Sequence, residues 1–456
     1  MKRLKLCVMA LLVSLVAIWV WTRWNVWFHN PEEQAYVPSI IPEHVLLTFG
    51  GQDGSSRNVS WQCDTVVRPS CVELVCLADS DTLRIAASGE MFRSRSGQAA
   101  YYWARLSGLK PNHHYTYRVV TDGNSSPWYH FQTYADNRQK ISFLYVGDVQ
   151  DTIGGQANRL LREAFSRHPE SEFLVCGGDL TDRPTHQHWE EAFHDVDSVA
   201  QTMPLLVVTG NHDYLKGIIM RLERRFSLVF SYFLDSKVAD NQVYTLCYGP
   251  IQFFLLDSNR ELPYLYTQRQ WLKEQLQQSR SRWKIFVLHH PLYSIKGNNN
   301  LIQRWMFNDL IEEYGVDLVL QGHEHAYARM TRHDDKGQAV TPVYTVSHFS
   351  PKNYRIEFDD RFDKFGISSR YYQTVSISGD TLSLTAYEVY GHSPYDSLQI
   401  IKSATGQVSI RDFGETIPEY MDYEPDPNSK KDRAFAKRIA DYKRRHPERL
   451  KTSSRE

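Results

Sequence analysis

The sequence predicts a mainly α/β protein: a four-layer sandwich of two mixed β-sheets flanked by helices, preceded by an all-β sandwich and followed by a charged tail. Three observations carry this expectation. An early region shows short strands and turns without helical spacing. A longer region alternates apolar runs of strand length with segments of helical spacing. That alternation occurs in two successive series, enough for two sheets.

The first residues, Met1-Lys2-Arg3-Leu4-Lys5, place positive charge ahead of an almost uncharged apolar run over 6–21, the layout of an export signal. No small-x-small cleavage pattern closes the run, and Trp19, Trp21, Trp24 and Trp27 favour a membrane interface. Residues 1–27 are therefore expected to be an uncleaved signal anchor. A cleaved signal peptide is the alternative, because the run is somewhat shorter than the roughly 20 residues of a full span. The rest of the chain would then be membrane-anchored on the periplasmic or extracellular side, or secreted if cleavage occurs.

Over 40–135 the pattern gives strands at 44–48, 71–77, 101–106, 115–121 and 128–133. The stretch Leu106-Ser107-Gly108-Leu109-Lys110-Pro111, continued by Tyr115-Thr116-Tyr117-Arg118-Val119, matches a corner of fibronectin-type or immunoglobulin-like sandwiches. A structural spacer is expected, with a carbohydrate-binding module as the alternative. After Ala135-Asp136-Asn137 the grammar changes. Over 139–415 a strand at 141–146, a helix at 156–167, a strand at 173–176, a helix at 186–200 and a strand at 205–208 form the first series. Strands at 252–256, 284–288 and 316–320, with helices at 267–278 and 301–314 between them, form the second. Further strands near 344–346, 372–377 and 381–387 complete the sheets, the last pair turning at Ser378-Gly379-Asp380. Residues 416–456, with Ser429-Lys430-Lys431-Asp432-Arg433 and Lys443-Arg444-Arg445, read as a solvated helix or tail.

At 456 residues and 42% hydrophobic the chain has material for more than one core. A net charge of −1 argues against a nucleic-acid partner. Outside the anchor the cysteines are Cys63, Cys71, Cys76, Cys176 and Cys247. Cys63 is a candidate for a disulfide with Cys71 or Cys76, and Cys176, in an apolar run, reads as a buried small hydrophobe.

Five segments carry the chemistry: Gly147-Asp148-Val149-Gln150, Gly178-Asp179-Leu180-Thr181-Asp182, Gly210-Asn211-His212-Asp213, His289-His290-Pro291 and Gly322-His323-Glu324-His325. Each offers oxygen or imidazole nitrogen to a cation and follows an apolar run, so the side chains should gather along one edge of a sheet. Taken singly, each pattern is more often a turn. Their joint occurrence is what points to two metals. A carboxylate can bridge two ions, and Asp179, after Gly177-Gly178, is the best candidate. Asp148 binds one ion only, and Asn211 adds a neutral oxygen. His323 and His325 alternate along an extended segment and should point the same way. The expected sets are Asp148, Asp179 and His325 for one metal, and Asp179, Asn211, His289 and His323 for the other.

These blocks, above all Gly322-His323-Glu324-His325-Ala326-Tyr327, resemble the calcineurin-like metallophosphoesterase superfamily, and with the preceding sandwich the chain is most similar to purple acid phosphatases. The resemblance, over about residues 40–390, implies a hydrolase of small phosphorylated substrates in which a metal-bound hydroxide attacks phosphorus in line. It gives His212 the role of proton donor or orienting group. Two departures matter. Asp182 stands where purple acid phosphatases have a tyrosine, and Gln150 stands where other members have a histidine. Asp182 is thus either an oxygen ligand or a loop-holding residue, and Gln150 a ligand or its neighbour. Without tyrosinate the protein should be colourless, and iron, zinc and manganese all stay open. His290 either touches substrate or makes a structural hydrogen bond. The expected activity is that of a phosphomonoesterase; the alternatives are a phosphodiesterase with the same metals, or a non-catalytic surface-binding protein with a degenerate site.

Overall fold

A computed structural model describes residues 2–78, 81–134, 138–232, 238, 242–297 and 299–450. Met1, Ala135, Asp136 and Asn137, named in the sequence reading, and residues 451–456 of the tail lie outside the described residues. The helices are α1 (Lys2–Phe28), α2 (Ala157–Arg167), α3 (His186–Asp195), α4 (Arg224–Val229), α5 (Leu262–Gln278), α6 (Leu301–Glu313) and α7 (Lys430–Arg445).

The first large sheet centres on strand Lys140–Val146, whose continuous apolar run is buried on both faces as an inner strand requires. It pairs in parallel with Leu174–Cys176 and antiparallel with Tyr371–Ser378. The second sheet has seven strands, with Ile251–Leu255, Trp283–Leu288, Leu318–Gln321 and Ala339–Val346 parallel in its middle. The two sheets pack face to face: Phe143 and Phe173 of the first contact Phe253 of the second, at ring separations of 5.3 and 5.8 Å. Helix α2 lays Leu160, Leu161 and Ala164 against the same core, and α5 and α6 cover the other face of the second sheet with Leu272, Leu276, Phe307 and Leu310. Four layers result, as expected.

The first sheet does not stop at its α/β strands. Leu205–Val207 pairs in parallel with Glu43–Phe49, and the sheet runs on through Arg57–Gln62, Gln98–Leu106 and Ser88–Arg93, eleven strands in all. A second N-terminal sheet, Thr82–Ala86, Ser70–Cys76 and His114–Thr121 with Asn124–Ser125 and Tyr129–Gln132, closes the β-sandwich over Val59, Trp61, Val72, Leu74, Tyr117 and Phe131.

Several expectations are corrected. Helix α3 ends at Asp195 rather than 200, giving way to turns. Helix α5 begins at Leu262 rather than 267, because Pro263 suits a first helical turn. All six cysteines are free, so the disulfide from Cys63 to Cys71 or Cys76 is absent; the Cys63 Sγ instead lies 3.2 Å from the Ile40 carbonyl oxygen. The strand pair Tyr371–Ser378 and Thr381–Glu388 turns where expected, with Gly379 at a φ of +54°. Helix α1 contains the nineteen-residue stretch Cys7–Asn25, none of it buried, long and apolar enough to cross a membrane by length and composition.

The basic C-terminal segment is not a solvated tail. Helix α7 buries Phe435, Ile439 and Tyr442, spaced as one helical face, in the apolar cluster of the second sheet, against Phe358 and Phe365. The Tyr442 hydroxyl donates to Glu419 at 2.7 Å, and its ring stacks on Phe358 at 4.6 Å. The lysines of α7 face outward, whereas Asp432 is buried and paired with Arg355. Phe435→Ala should therefore lower the unfolding free energy by about 3–5 kcal/mol, whereas Lys437→Ala, on the exposed face, should change it by less than about 0.5 kcal/mol; chemical denaturation of both variants checks this.

Candidate metal centre

All five chemical segments leave the carboxyl ends of parallel strands: Asp148 follows Lys140–Val146, Asp179 follows Leu174–Cys176, and Asn211 follows Leu205–Val207 in the first sheet; His289 follows Trp283–Leu288, and His323 and His325 follow Leu318–Gln321 in the second. Because both sheets point these ends the same way, the side chains meet between them. The turns are sharp. Asp148, Asp179 and His323 have φ of +46°, +52° and +69°, a left-handed backbone that such residues adopt only where surroundings enforce it. A Cβ on Gly210 would run into the Asp179 carboxylate, and one on Gly322 into that of Asp148, so both positions need glycine for close approach.

His323 and His325 do not occupy an extended strand. The segment between Gln321 and Tyr327 is a chain of bends, with the His323 amide donating to Asp148 Oδ2 at 2.6 Å. The two imidazoles go to different partners because of this turn, not because of strand alternation. His323 Nδ1 lies 2.8 Å from Asn211 Oδ1 and 3.3 Å from His289 Nε2. His325 Nε2 lies 3.3 Å from Asp148 Oδ1 and 3.2 Å from the Gln150 amide.

The first group comprises Asp179, Asn211, His289 and His323. His289 Nδ1 sits 2.9 Å from the Gly177 carbonyl, which only accepts, so Nδ1 donates and Nε2 is the ring atom turned to the site. Nε2 faces Asn211 Oδ1 at 3.1 Å and Asp179 Oδ2 at 3.2 Å. Three ligand-type atoms thus converge, with His323 as a further contributor. The second group repeats the arrangement. His325 Nδ1 donates to the Lys352 carbonyl at 3.1 Å, turning Nε2 toward Asp148 Oδ1, which is buried without a hydrogen-bond partner, and toward the Gln150 side-chain NH2, whose own Oε1 is likewise buried and unpartnered. Converging lone pairs repel unless a cation or a proton lies among them. Spacings of 2.8–3.3 Å are close to the roughly 3.0–3.4 Å expected between ligands around an ion with bonds of about 2.0–2.1 Å. The donor set fits two metal ions.

The electrostatics agree. Burial alone would push His289 down, but the Asp179 and Asp148 carboxylates outweigh it and raise the imidazole to about 9. Despite burial, Asp179 is held far below the usual carboxylate range by His289 and His212. Desolvation and neighbouring imidazoles push His290 down to about 3 and His323 lower still, so both are neutral bases. Burial and the Asp179 charge raise Asp213 to about 8, while its Oδ2 accepts from the Gly210 amide at 2.7 Å.

The remaining predicted residues border these groups. His212 is half-buried; its amide donates to Asp179 Oδ1 at 2.8 Å, and its Nδ1 donates to the Asp182 carbonyl at 2.5 Å, leaving Nε2 4.0 Å from Asp179 Oδ2. The Asp182 carboxylate is engaged by the Lys352 ammonium, with His188 Nε2 at 3.9 Å. His290 Nδ1 lies 3.0 Å from Ser258 Oγ, with its ring tilted over His323 at 4.3 Å. Sequence reasoning missed Tyr354, stacked on the His325 ring at 4.2 Å, the Lys352 carbonyl that orients that ring, and buried His348, 5.5 Å from it. These come from a loop with no glycine-flanked pattern and no periodicity; its one signal is the density of ring and basic side chains over 348–355.

Comparison with known proteins follows the same lines. The calcineurin-like phosphoesterase family profile matches residues 141–327, and the purple acid phosphatase N-terminal domain profile matches residues 42–133. Similar proteins include probable purple acid phosphatase 20 of Arabidopsis thaliana, 25% identical over 71% of this chain and 76% of its own length, and phosphoenolpyruvate phosphatase of Allium cepa, 24% identical over 83% and 80%. The fold resembles a purple acid phosphatase from yellow lupin (Lupinus luteus) seeds, with a TM-score of 0.68 and 17% identity over 80% of this chain and 75% of that one. It also resembles PhoD, with a TM-score of 0.60 and 14% identity over 92% and 100%.

Asp179 and His289 also set a pH dependence. The folded His289 value, about 9, exceeds the ordinary value near 6.5, so the folded chain holds the extra proton between these limits. Its stabilisation is complete below pH ~6.5 and is lost as pH rises through ~9. Chelator-treated protein should lose up to about 1.4 kcal/mol of unfolding free energy per pH unit across that window, and His289→Gln should flatten the slope in denaturation series.

Proposed function

We propose that the chain, whose residues 141–327 match the calcineurin-like phosphoesterase profile and whose residues 42–133 match the purple acid phosphatase N-terminal profile, hydrolyses phosphoric monoesters with a pair of metal ions held by the residues described above. Asp148, Asp179 and His325 would hold one ion, with Gln150 beside it, and Asp179, Asn211, His289 and His323 the other. The ions are of the iron, zinc or manganese type; once bound they supply positive charge toward phosphoryl oxygens and acidify water. The observation that carries this reading is the convergence of Asp179 Oδ2, Asn211 Oδ1, His289 Nε2 and His323 Nδ1 on one point between the sheets.

The chain's own groups divide the remaining work. The bond from His212 Nδ1 to the Asp182 carbonyl fixes the imidazole with Nε2 at the site's edge. A proton there suits a departing alkoxide. The Asp182 side chain, paired with Lys352, ties the loop after Asp179 to the loop that orients His325. We read it as a loop-holding residue. No phenolate stands at this position, so an iron-loaded protein should lack the purple colour. Gln150 adds a neutral oxygen where a histidine would add a nitrogen, and the pair keeps its positive charge. His290, bonded to Ser258, supports His323.

The test combines elemental analysis with turnover. The purified protein should hold two metals in these groups and hydrolyse nitrophenyl phosphate faster than bis-nitrophenyl phosphate, with activity lost on chelation. Asp148→Asn should lower kcat/KM by at least about 100-fold. His212→Asn should keep the metals and lower kcat about 10²–10⁴-fold on an alkyl phosphate, with a smaller loss on nitrophenyl phosphate, whose leaving group needs no proton. A metal-loaded protein without turnover would instead favour a binding role.

We also propose that α1 anchors the chain in a membrane with the catalytic part exported. Support comes from the positive charges ahead of Cys7–Asn25 and from the tryptophans at its end, Trp19 packing on Trp27 at 4.7 Å. The full chain should stay with membranes after carbonate washing, and deletion of residues 1–29 should release it.

A further inference from the structure

Away from the candidate metal centre, α3 ends in a second group of ligand-type side chains. Glu191, His194 and Asp195 each offer a ligand atom, and these atoms lie within 4.8 Å of one another. Their spacing along the helix, three and four residues, puts them on one face. Glu191 is 8% exposed and Asp195 only 1%, while His194 reaches solvent.

The hydrogen bonding around them is uneven. Glu191 accepts from the Gly154 and Gly155 amides at 2.9 and 3.2 Å. Nearby Asp151 is fully engaged, taking the Arg370 guanidinium at 2.8 Å and the Gln156 and Ala157 amides at 3.0 Å each. Asp195 has far less support. Both of its carboxylate oxygens are buried without a hydrogen-bond partner, and the Asn158 backbone amide is the backbone donor near enough to favour its charged form. Buried carboxylates without partners are costly and normally carry a proton, a counter-charge or a metal. Among the described residues, the Arg370 guanidinium, whose charge acts on Asp195, is already paired with Asp151. Burial and the Glu191 and Asp151 charges push the Asp195 carboxyl up to about 8, so a proton or a cation must satisfy it.

We propose that Glu191, His194 and Asp195 form a further divalent-cation site, separate from the metal pair, which takes a zinc- or manganese-type ion. Two carboxylates and one imidazole are the donors such ions accept, and the exposed position of His194 leaves room for water to complete the shell. The ion's role is structural. Glu191 already grips the backbone at Gly154 and Gly155, so a cation on Glu191 and Asp195 pins the loop over 151–156 to α3. That loop leads directly from Asp148 and Gln150, which makes the site a brace for the first chemical segment without contact with its reacting atoms.

The test uses the full chain, stripped of metal, reloaded with zinc or with manganese, and analysed for metal content. The native protein should hold one equivalent more than Asp195→Asn and one more than His194→Ala. The readout is that difference rather than the total, so it stands whether or not the paired centre fills as proposed. Both variants should keep turnover within about twofold of native, and the native melting temperature should rise on reloading by more than that of either variant. Should Asp195→Asn fail to fold, His194→Ala, altered at an exposed position, decides the matter. Equal metal content in native protein and variants would overturn the proposal and leave Asp195 simply protonated.

Discussion

One hydrogen bond holds the two halves of the candidate centre in register: the His323 amide, on a loop of the second sheet, donates to Asp148 Oδ2, on a loop of the first. It consumes one carboxylate oxygen and leaves the other bare beside His325. Similar bonds recur. The His212 amide takes Asp179 Oδ1, the Gln150 amide donates to the Asp179 carbonyl, and the Phe349 amide to that of Gly147. Each tie satisfies backbone from one strand end with an acceptor from another. The converging side-chain atoms are therefore fixed in place by the fold itself, and the left-handed backbone of Asp148, Asp179 and His323 is the strain that this mutual bracing sustains.

The same logic places the charges. A buried pocket of carboxylates and imidazoles would be self-destructive if each group titrated alone. Here one proton is shared by the closest pair, Asp179 and His289, while His290 and His323 are kept neutral by desolvation and by that charge. A cation that enters displaces the proton rather than adding to it. Tyr354 and His348 flank the His325 ring on loops that carry no ligand, limiting its freedom to rotate.

The sequence made much of this legible, for specific reasons. Asp148, Asp179, Asn211, His289, His323 and His325 could be picked out because each ends an apolar run, most beside glycine, and strand ends of an α/β sheet converge by topology. What escaped was whatever lacked a local signature. Arg57–Gln62 reads as polar, yet all six residues are buried; Asn58 bonds Thr48 and Ser60 bonds the Val229 carbonyl, so long-range partners replaced the expected apolar alternation. In α7 the apolar stripe of Phe435, Ile439 and Tyr442 was present, but the surrounding charge obscured it. Tyr354 and Lys352 depend on where a long irregular loop travels, which no spacing encodes.

The joining of Leu205–Val207 to Glu43–Phe49 changes what the N-terminal sandwich is to the rest of the molecule. The strand that delivers Asn211 would otherwise lie at the margin of the α/β sheet, with its amides and carbonyls bare along one side, the kind of edge on which chains aggregate. Glu43–Phe49 covers that margin, and Leu47 reaches past it to the Ala200 carbonyl at 2.7 Å. The sandwich is thus a permanent selvedge to the catalytic sheet. A chain cut back to its phosphoesterase portion would carry every ligand and still be prone to self-association, because the lost segment supplied not chemistry but a boundary.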